Sequence, residues 1–202
     1  MRSVDEAILE QRAIPVVRAS DPETAYALCE RLVAAGIGVI ELTTTIPGWE
    51  GLLRSASRDL PGATVGMGTV VDEDAVERAG SAGAKFLVSP FPAPAARAAA
   101  DRDGILFIGG GATPAEIAEA SCHGICKLFP AQLGGPAYLR TLLAVLPDAR
   151  IMPTGGVRLT DVSTWLGAGA VAVGVGSDLY GAPDLDAAVA ELARQVSEGD
   201  AA

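Results

Sequence analysis

Aromatic residues are scarce in this chain of 202 residues: Phe, Trp and Tyr make up 4%, against 50% hydrophobic residues overall. The core must then be built from Ala, Val, Leu and Ile, which suits a parallel sheet buried on both faces by helices. Histidine occurs once, at His123, which works against a His-rich metal site and against a Ser-His-Asp triad. Three cysteines at irregular spacing point to the reducing cytoplasm rather than to a disulfide framework. Lys and Arg form no block and the formal net charge is -10. So acidic a surface repels a phosphate backbone, and no nucleic-acid partner is expected. An anionic small molecule remains compatible where local groups override the global field. No apolar run approaches the ~18 residues of a membrane span, so no membrane partner is expected. Residues 1–13 are polar and charged, without the apolar stretch of a signal peptide.

What is present is a regular series of short apolar runs. They fall at residues 14–18, 39–43, 64–68, 85–89, 105–108, 125–129, 150–154 and 171–175. The runs recur every 20–25 residues or so, the spacing of βα units. Helix signals lie between them. Asp21-Pro22-Glu23 offers a cap, a first-turn proline and an acid at the positive helix end. Thr113-Pro114-Ala115-Glu116 has the spacing of a capping box. Glycines at 36, 83, 167 and 169 sit where helices end before strands. Eight βα units and an extra N-terminal helix over about residues 3–12 predict an α/β fold, a single-domain (β/α)₈ TIM barrel spanning residues 1–202. A chain of this length buries roughly 70% of its unfolded surface and needs no staple. The rival is a doubly wound open sheet. It wants a Gly-rich turn after the first strand, where this chain has Arg18-Ala19-Ser20.

Barrel chemistry sits where the strands end, so polar residues in those apolar runs are the candidates. Lys127 is centred in Ile125-Cys126-Lys127-Leu128-Phe129. Alternation puts it on one face with Ile125 and Phe129, and puts Cys126 and Leu128 on the other. Burial of an ammonium favours its neutral form, the form that attacks a ketone. The other reading is a lysine snorkelling to water, which suits a strand edge better than mid-run. Glu41 shares a face with Val39 and Thr43. It is either half of a structural ion pair or, taken with Lys127, the general base beside a nucleophile.

Two Gly-rich turns, Thr154-Gly155-Gly156-Val157 and Gly174-Val175-Gly176-Ser177, follow the last two strands. Such turns either cradle a phosphate through backbone N–H groups or merely permit a tight bend. Asp178 counts against an anion there unless it points away. Arg18 could fork a substrate carboxylate or pair with Glu41. Thr69 could donate its hydroxyl to substrate or cap the helix that begins near Asp72. Cys122-His123-Gly124-Ile125-Cys126 suggests a metal at first sight. Cys126 should face out of the barrel, however, and the two residues before Ile125 lie at the opposite end from the site.

In order and spacing the chain resembles, nearly end to end, the 2-keto-3-deoxy-6-phosphogluconate (KDPG) and 4-hydroxy-2-oxoglutarate (KHG) aldolase family. The landmarks are Val16-Val17-Arg18, Ile40-Glu41-Leu42-Thr43, Gly66-Met67-Gly68-Thr69-Val70, Val88-Ser89-Pro90, Lys127-Leu128-Phe129-Pro130-Ala131, Pro153-Thr154-Gly155-Gly156-Val157 and Gly174-Val175-Gly176-Ser177. The resemblance implies a class I aldolase with Lys127 as Schiff-base lysine and Glu41 as acid/base. Thr69 and an arginine would hold the carboxylate of a small 2-keto acid. Gly155, Gly156, Gly176 and Ser177, with Thr154 beside them, would surround a phosphate, and Pro90 and Phe129 would line the pocket. It implies a homotrimer and a reaction without metal or organic cofactor.

Four positions depart from the family pattern. Thr45 stands where many members have arginine, so Arg18 must supply the fork. Gly109-Gly110 replaces Pro-Gly, Gln132 replaces a common Glu, and Asp178 replaces an uncharged residue. These leave the reaction class intact and the substrate open between KDPG and an unphosphorylated acid such as KHG. A metal-dependent aldolase is disfavoured by the shortage of His and clustered carboxylates. A non-catalytic phosphosugar-binding barrel would have no need of Lys127.

Overall fold

The computed structural model describes residues 2–200. In chain order they form α1 (Val4–Gln11), β1 (Ala13–Val17), α2 (Pro22–Ala34), β2 (Val39–Thr43), α3 (Trp49–Asp59), β3 (Thr64–Gly68), α4 (Glu73–Ala82), β4 (Phe86–Val88) and α5 (Pro94–Asp103). They continue with β5 (Leu106–Ile108), β6 (Gly110–Gly111), α6 (Pro114–Ser121), β7 (Ile125–Leu128), α7 (Gly135–Val145), β8 (Arg150–Pro153), α8 (Val162–Gly167), β9 (Val173–Val175), α9 (Ser177–Tyr180) and α10 (Leu185–Asp200). Every strand pairing is parallel. One sheet runs β5-β4-β3-β2-β1-β9 and a second runs β6-β7-β8.

The fifth apolar run forms β5 as expected, but a further short strand, β6, follows it after Gly109 and was not anticipated. The two serve different neighbours. Leu106, Phe107 and Ile108 pair with β4, whereas Gly110 and Gly111 pair with β7. Gly109 bridges the change, its carbonyl accepting the Lys127 N–H at 2.9 Å. At the other junction Val171 N–H donates to the Ile151 carbonyl at 3.0 Å, and Thr154 forms a parallel bridge with Gly174. The architecture is thus a curled parallel sheet covered by helices.

Local signals behave as their chemistry requires. Asp21 caps α2 by accepting from Thr24 N–H, with Pro22 in the first turn. Thr113 and Glu116 form a reciprocal capping box on α6, and their hydrogen bonds, chiefly from Ala112 N–H, hold the Glu116 carboxyl below the usual range.

Apolar side chains divide by alternation. Outward ones such as Ile40, Leu42, Cys126 and Leu128 pack beneath the helices. Inward ones, including Ile14, Val39, Phe86, Ile108, Ile125 and Met152, form an inner cluster with Ala7 and Ile8 of α1. The N-terminal helix therefore closes the end of the sheet where the strands begin. Gln11 completes that closure, donating to the Ala13 and Val39 carbonyls and accepting from Gly38 and Val39 N–H, at 2.7 to 2.9 Å. No helix among the described residues is long and apolar enough to cross a membrane.

Candidate active site

At the opposite end the inner cluster gives way to two charges. Glu41 on β2 and Lys127 on β7 are 86 residues apart in sequence, yet Lys127 Nζ lies 3.2 Å from Glu41 Oε1. They are 0% and 2% exposed. Taking two charges out of water is costly, and removing one partner from such a pair typically costs about 3–5 kcal/mol. The Phe129 ring stands 5.7 Å from Lys127 Nζ and adds a cation–π contact. Snorkelling is excluded for Lys127, whose side chain ends on Glu41 rather than in water. Lys85, the only other lysine in the sequence, is exposed.

Room for the pair comes from Gly68, which lies at the end of β3 beside β2. A Cβ at Gly68 would overlap Glu41 Oε1. Sequence reading placed Gly68 only in a motif. The usable signal was a glycine ending a buried strand, where close approach is the ordinary reason for the choice.

Two buried oxygens at this end make no hydrogen bond with the protein, Glu41 Oε2 and Thr154 Oγ1. An unpaired buried polar atom costs roughly 1–3 kcal/mol and is uncommon in a folded interior. One such oxygen, Asp5 Oδ1 on α1, lies at the other end; the two here sit beside a buried ion pair, which marks a place shaped for something other than stability.

A cleft of about 490 Å³ opens at the same end. It gathers Arg18, Phe129, Thr154, Gly155, Gly156, Gly176 and Ser177, all anticipated from sequence. Gly155 turns at φ +91, and a Cβ there would press on Phe129 and the Pro130 backbone. Thr69 and Pro90 do not line this cleft. Thr69 sits at φ 63, an outlier for a β-branched residue and the sort of strain that clusters at functional sites. Its carbonyl accepts from Thr44 Oγ1 at 2.9 Å. It does not cap α4, because Asp72 does so with its own carboxylate. Pro90 is half-buried.

Arg18 is not the partner of Glu41, since Lys127 holds that place. Its guanidinium donates instead to Thr45 Oγ1 at 3.3 Å. Asp178 also lines the cleft, and its Oδ2 accepts the Leu159 N–H at 2.6 Å. Arg158, Gln132 and Tyr180 also line the cleft and were not anticipated. Arg158 forks onto Asp161 at 2.8 and 3.0 Å, which raises the guanidinium's already high pKa. An arginine next to a Gly-Gly-Val turn was the available signal.

Cys126 faces the helices, where burial pushes its thiol up to about 12. Cys122 is exposed, as is His123. Among the described residues no three His, Cys, Asp or Glu side chains cluster as metal ligands would.

Residues 4–192 match the family model described as KDPG and KHG aldolase. The chain belongs to the KDPG and KHG aldolase family. It is accordingly an enzyme, an aldehyde-lyase. The 2-dehydro-3-deoxy-phosphogluconate aldolase of Pseudomonas aeruginosa is 33% identical over 167 residues, 81% of this chain and 76% of that protein. The 2-dehydro-3-deoxy-6-phosphogalactonate aldolase of Escherichia coli is 32% identical over 173 residues, 83% of each. Among solved structures, KDPG aldolase from Legionella pneumophila, with pyruvate captured as a covalent carbinolamine intermediate, superposes with a TM-score of 0.80 at 28% identity. That match covers 97% of this chain and 94% of that one.

Proposed function

We propose that this aldolase cleaves KDPG to pyruvate and glyceraldehyde 3-phosphate through a Schiff base on Lys127. The observation that carries the reading is the buried 3.2 Å contact between Lys127 and Glu41. Glu41 Oε1 is in position to take the ammonium proton. The free amine adds to the C2 ketone, giving a carbinolamine; Glu41 returns the proton to its hydroxyl, which leaves as water, so that an iminium and an ionised Glu41 remain. Glu41 then removes the C4 hydroxyl proton. The C3–C4 bond breaks, its electron pair moves toward the iminium nitrogen, and an aldehyde departs from an enamine. Protonation of C3 and hydrolysis release pyruvate and restore Lys127. The scheme uses no metal or organic cofactor.

Arg18 and Thr69 hold the carboxylate, Pro90 and Phe129 wall the pocket, and Thr154, Gly155, Gly156, Gly176 and Ser177 receive the phosphate. Arg158 on the rim of the cleft supports an anion there, while Asp178, whose Oδ2 accepts the Leu159 N–H, counts against one. The two sheets close into one eight-strand (β/α)₈ barrel, supported by the bonds at Gly109 and Ile151 and by the Thr154–Gly174 bridge. The barrel forms a single domain over residues 1–202, working as a homotrimer in the cytoplasm.

Borohydride added with pyruvate should fix one pyruvyl adduct on Lys127, located by peptide mass, and Lys127→Ala should abolish it. An adduct on Lys85, or one surviving in Lys127→Ala, would overturn the assignment. The family also embraces KHG, and Asp178 lies in the cleft, so an unphosphorylated substrate is the second reading. Comparing kcat/KM for KDPG, its C4 epimer and KHG decides between them: equal values for the phosphorylated and unphosphorylated acids would move the assignment to KHG.

A further inference from the structure

Arg18 leaves the end of β1 as a long exposed side chain whose one hydrogen bond among the described residues goes to Thr45. That bond is the first of a chain. Thr45 Oγ1 lies 2.9 Å from Thr43 Oγ1, and Thr43 Oγ1 lies 3.2 Å from the Val17 carbonyl. The two ends fix the direction of every proton in between. A carbonyl only accepts and a guanidinium only donates. Thr43 therefore gives its one hydroxyl proton to Val17 and must accept from Thr45. Thr45, having given its proton to Thr43, must accept from Arg18. The chain returns to the residue before Arg18; Thr43, at the end of β2, is fully buried, while Thr45, just beyond it, is exposed.

We propose that Thr45 is a positioning residue for Arg18. Its hydroxyl, backed by Thr43, holds Nη1 and leaves Nε and Nη2 as the two-pronged edge for the substrate carboxylate. An unrestrained arginine loses rotamer freedom when it captures an anion, and that loss weakens binding. Here part of the ordering is done before substrate arrives, and the planar fork keeps its geometry. The inference rests on the reading above that Arg18 binds the carboxylate.

Three variants test it by steady-state kinetics on the preferred keto acid. Thr45→Val keeps the shape and loses the acceptor; it should raise KM about 2- to 10-fold, the worth of one hydrogen bond, with kcat unchanged. Thr45→Ser keeps the hydroxyl and should restore KM. Arg18→Ala should raise KM about 10- to 100-fold. In the Arg18→Ala background, Thr45→Val should change nothing further, because its effect runs through Arg18. An unchanged KM in Arg18→Ala would overturn the carboxylate reading itself. A raised KM there with none in Thr45→Val, a Thr45→Ser as impaired as Thr45→Val, or a Thr45→Val effect that persists without Arg18 would each overturn the positioning role.

Discussion

The two ends of the strands are built to opposite rules. Where the strands begin, α1 seals the sheet: Ile8 is fully buried in the inner cluster, and Gln11 satisfies four backbone groups. Where they end, the interior holds an ion pair and two oxygens without protein partners. The first end spends its polar atoms mainly on closure, leaving one buried oxygen, Asp5 Oδ1, without a hydrogen-bond partner. The second leaves two, Glu41 Oε2 and Thr154 Oγ1, beside a buried ion pair and an open cleft, a cost in stability that suits a reacting ligand. Such division of labour is the pattern expected of barrel enzymes, with stability at one face and chemistry at the other.

Three substitutions probe that contrast. The largest effect should come from Glu41→Gln, which leaves Lys127 a neutral partner but removes the proton carrier. Turnover should fall ~10²–10⁴-fold, measured by coupling pyruvate release to a dehydrogenase; a near-normal rate would take Glu41 out of the chemistry. Next is Ile8→Ala at the sealed end. It removes a fully buried side chain and should cost about 2–5 kcal/mol in urea unfolding while kcat under native conditions is kept. A large loss of kcat in a still-folded Ile8→Ala protein would mean that the two ends are not independent.

The smallest effect, and the sharpest, is Thr154→Val. Replacing an unpaired buried hydroxyl with a methyl should leave stability level or raise it by about 1 kcal/mol. It should nonetheless lower kcat/KM for the phosphorylated acid roughly 2- to 10-fold, the value of one lost hydrogen bond. A destabilised Thr154→Val protein with unaltered kcat/KM would place Thr154 with the structural residues instead.

Much of this was legible before any coordinates. The apolar runs coincide with strands, two of them, Val39–Thr43 and Thr64–Gly68, to the residue. Asp21 and Thr113 cap the helices their spacing announces. Lys127 stood out because an ammonium centred in an apolar run has few uses. These readings succeed because their causes are local: alternation, capping geometry and the price of burying charge act within a few residues of the chain.

Other features are properties of the assembled sheet. That Lys127 meets Glu41 follows from the curl of the sheets, which brings β2 of one and β7 of the other to face one another. That Gly68 must be glycine follows from the register that sets Thr43 beside it and lets the Glu41 side chain pass over its Cα. Arg18 offered two partners on paper, and the neighbouring end of β2 supplied a third, Thr45. Asp178 had no partner on paper, and the loop after β8 presented it with the Leu159 N–H. The amino-acid sequence by itself determined where strands and helices form and which residue types are available for chemistry, since hydrophobic period and capping are read off adjacent residues. Only the tertiary structure decided which of those residues touch, because contacts between strands far apart in the chain depend on order and register that no local pattern encodes.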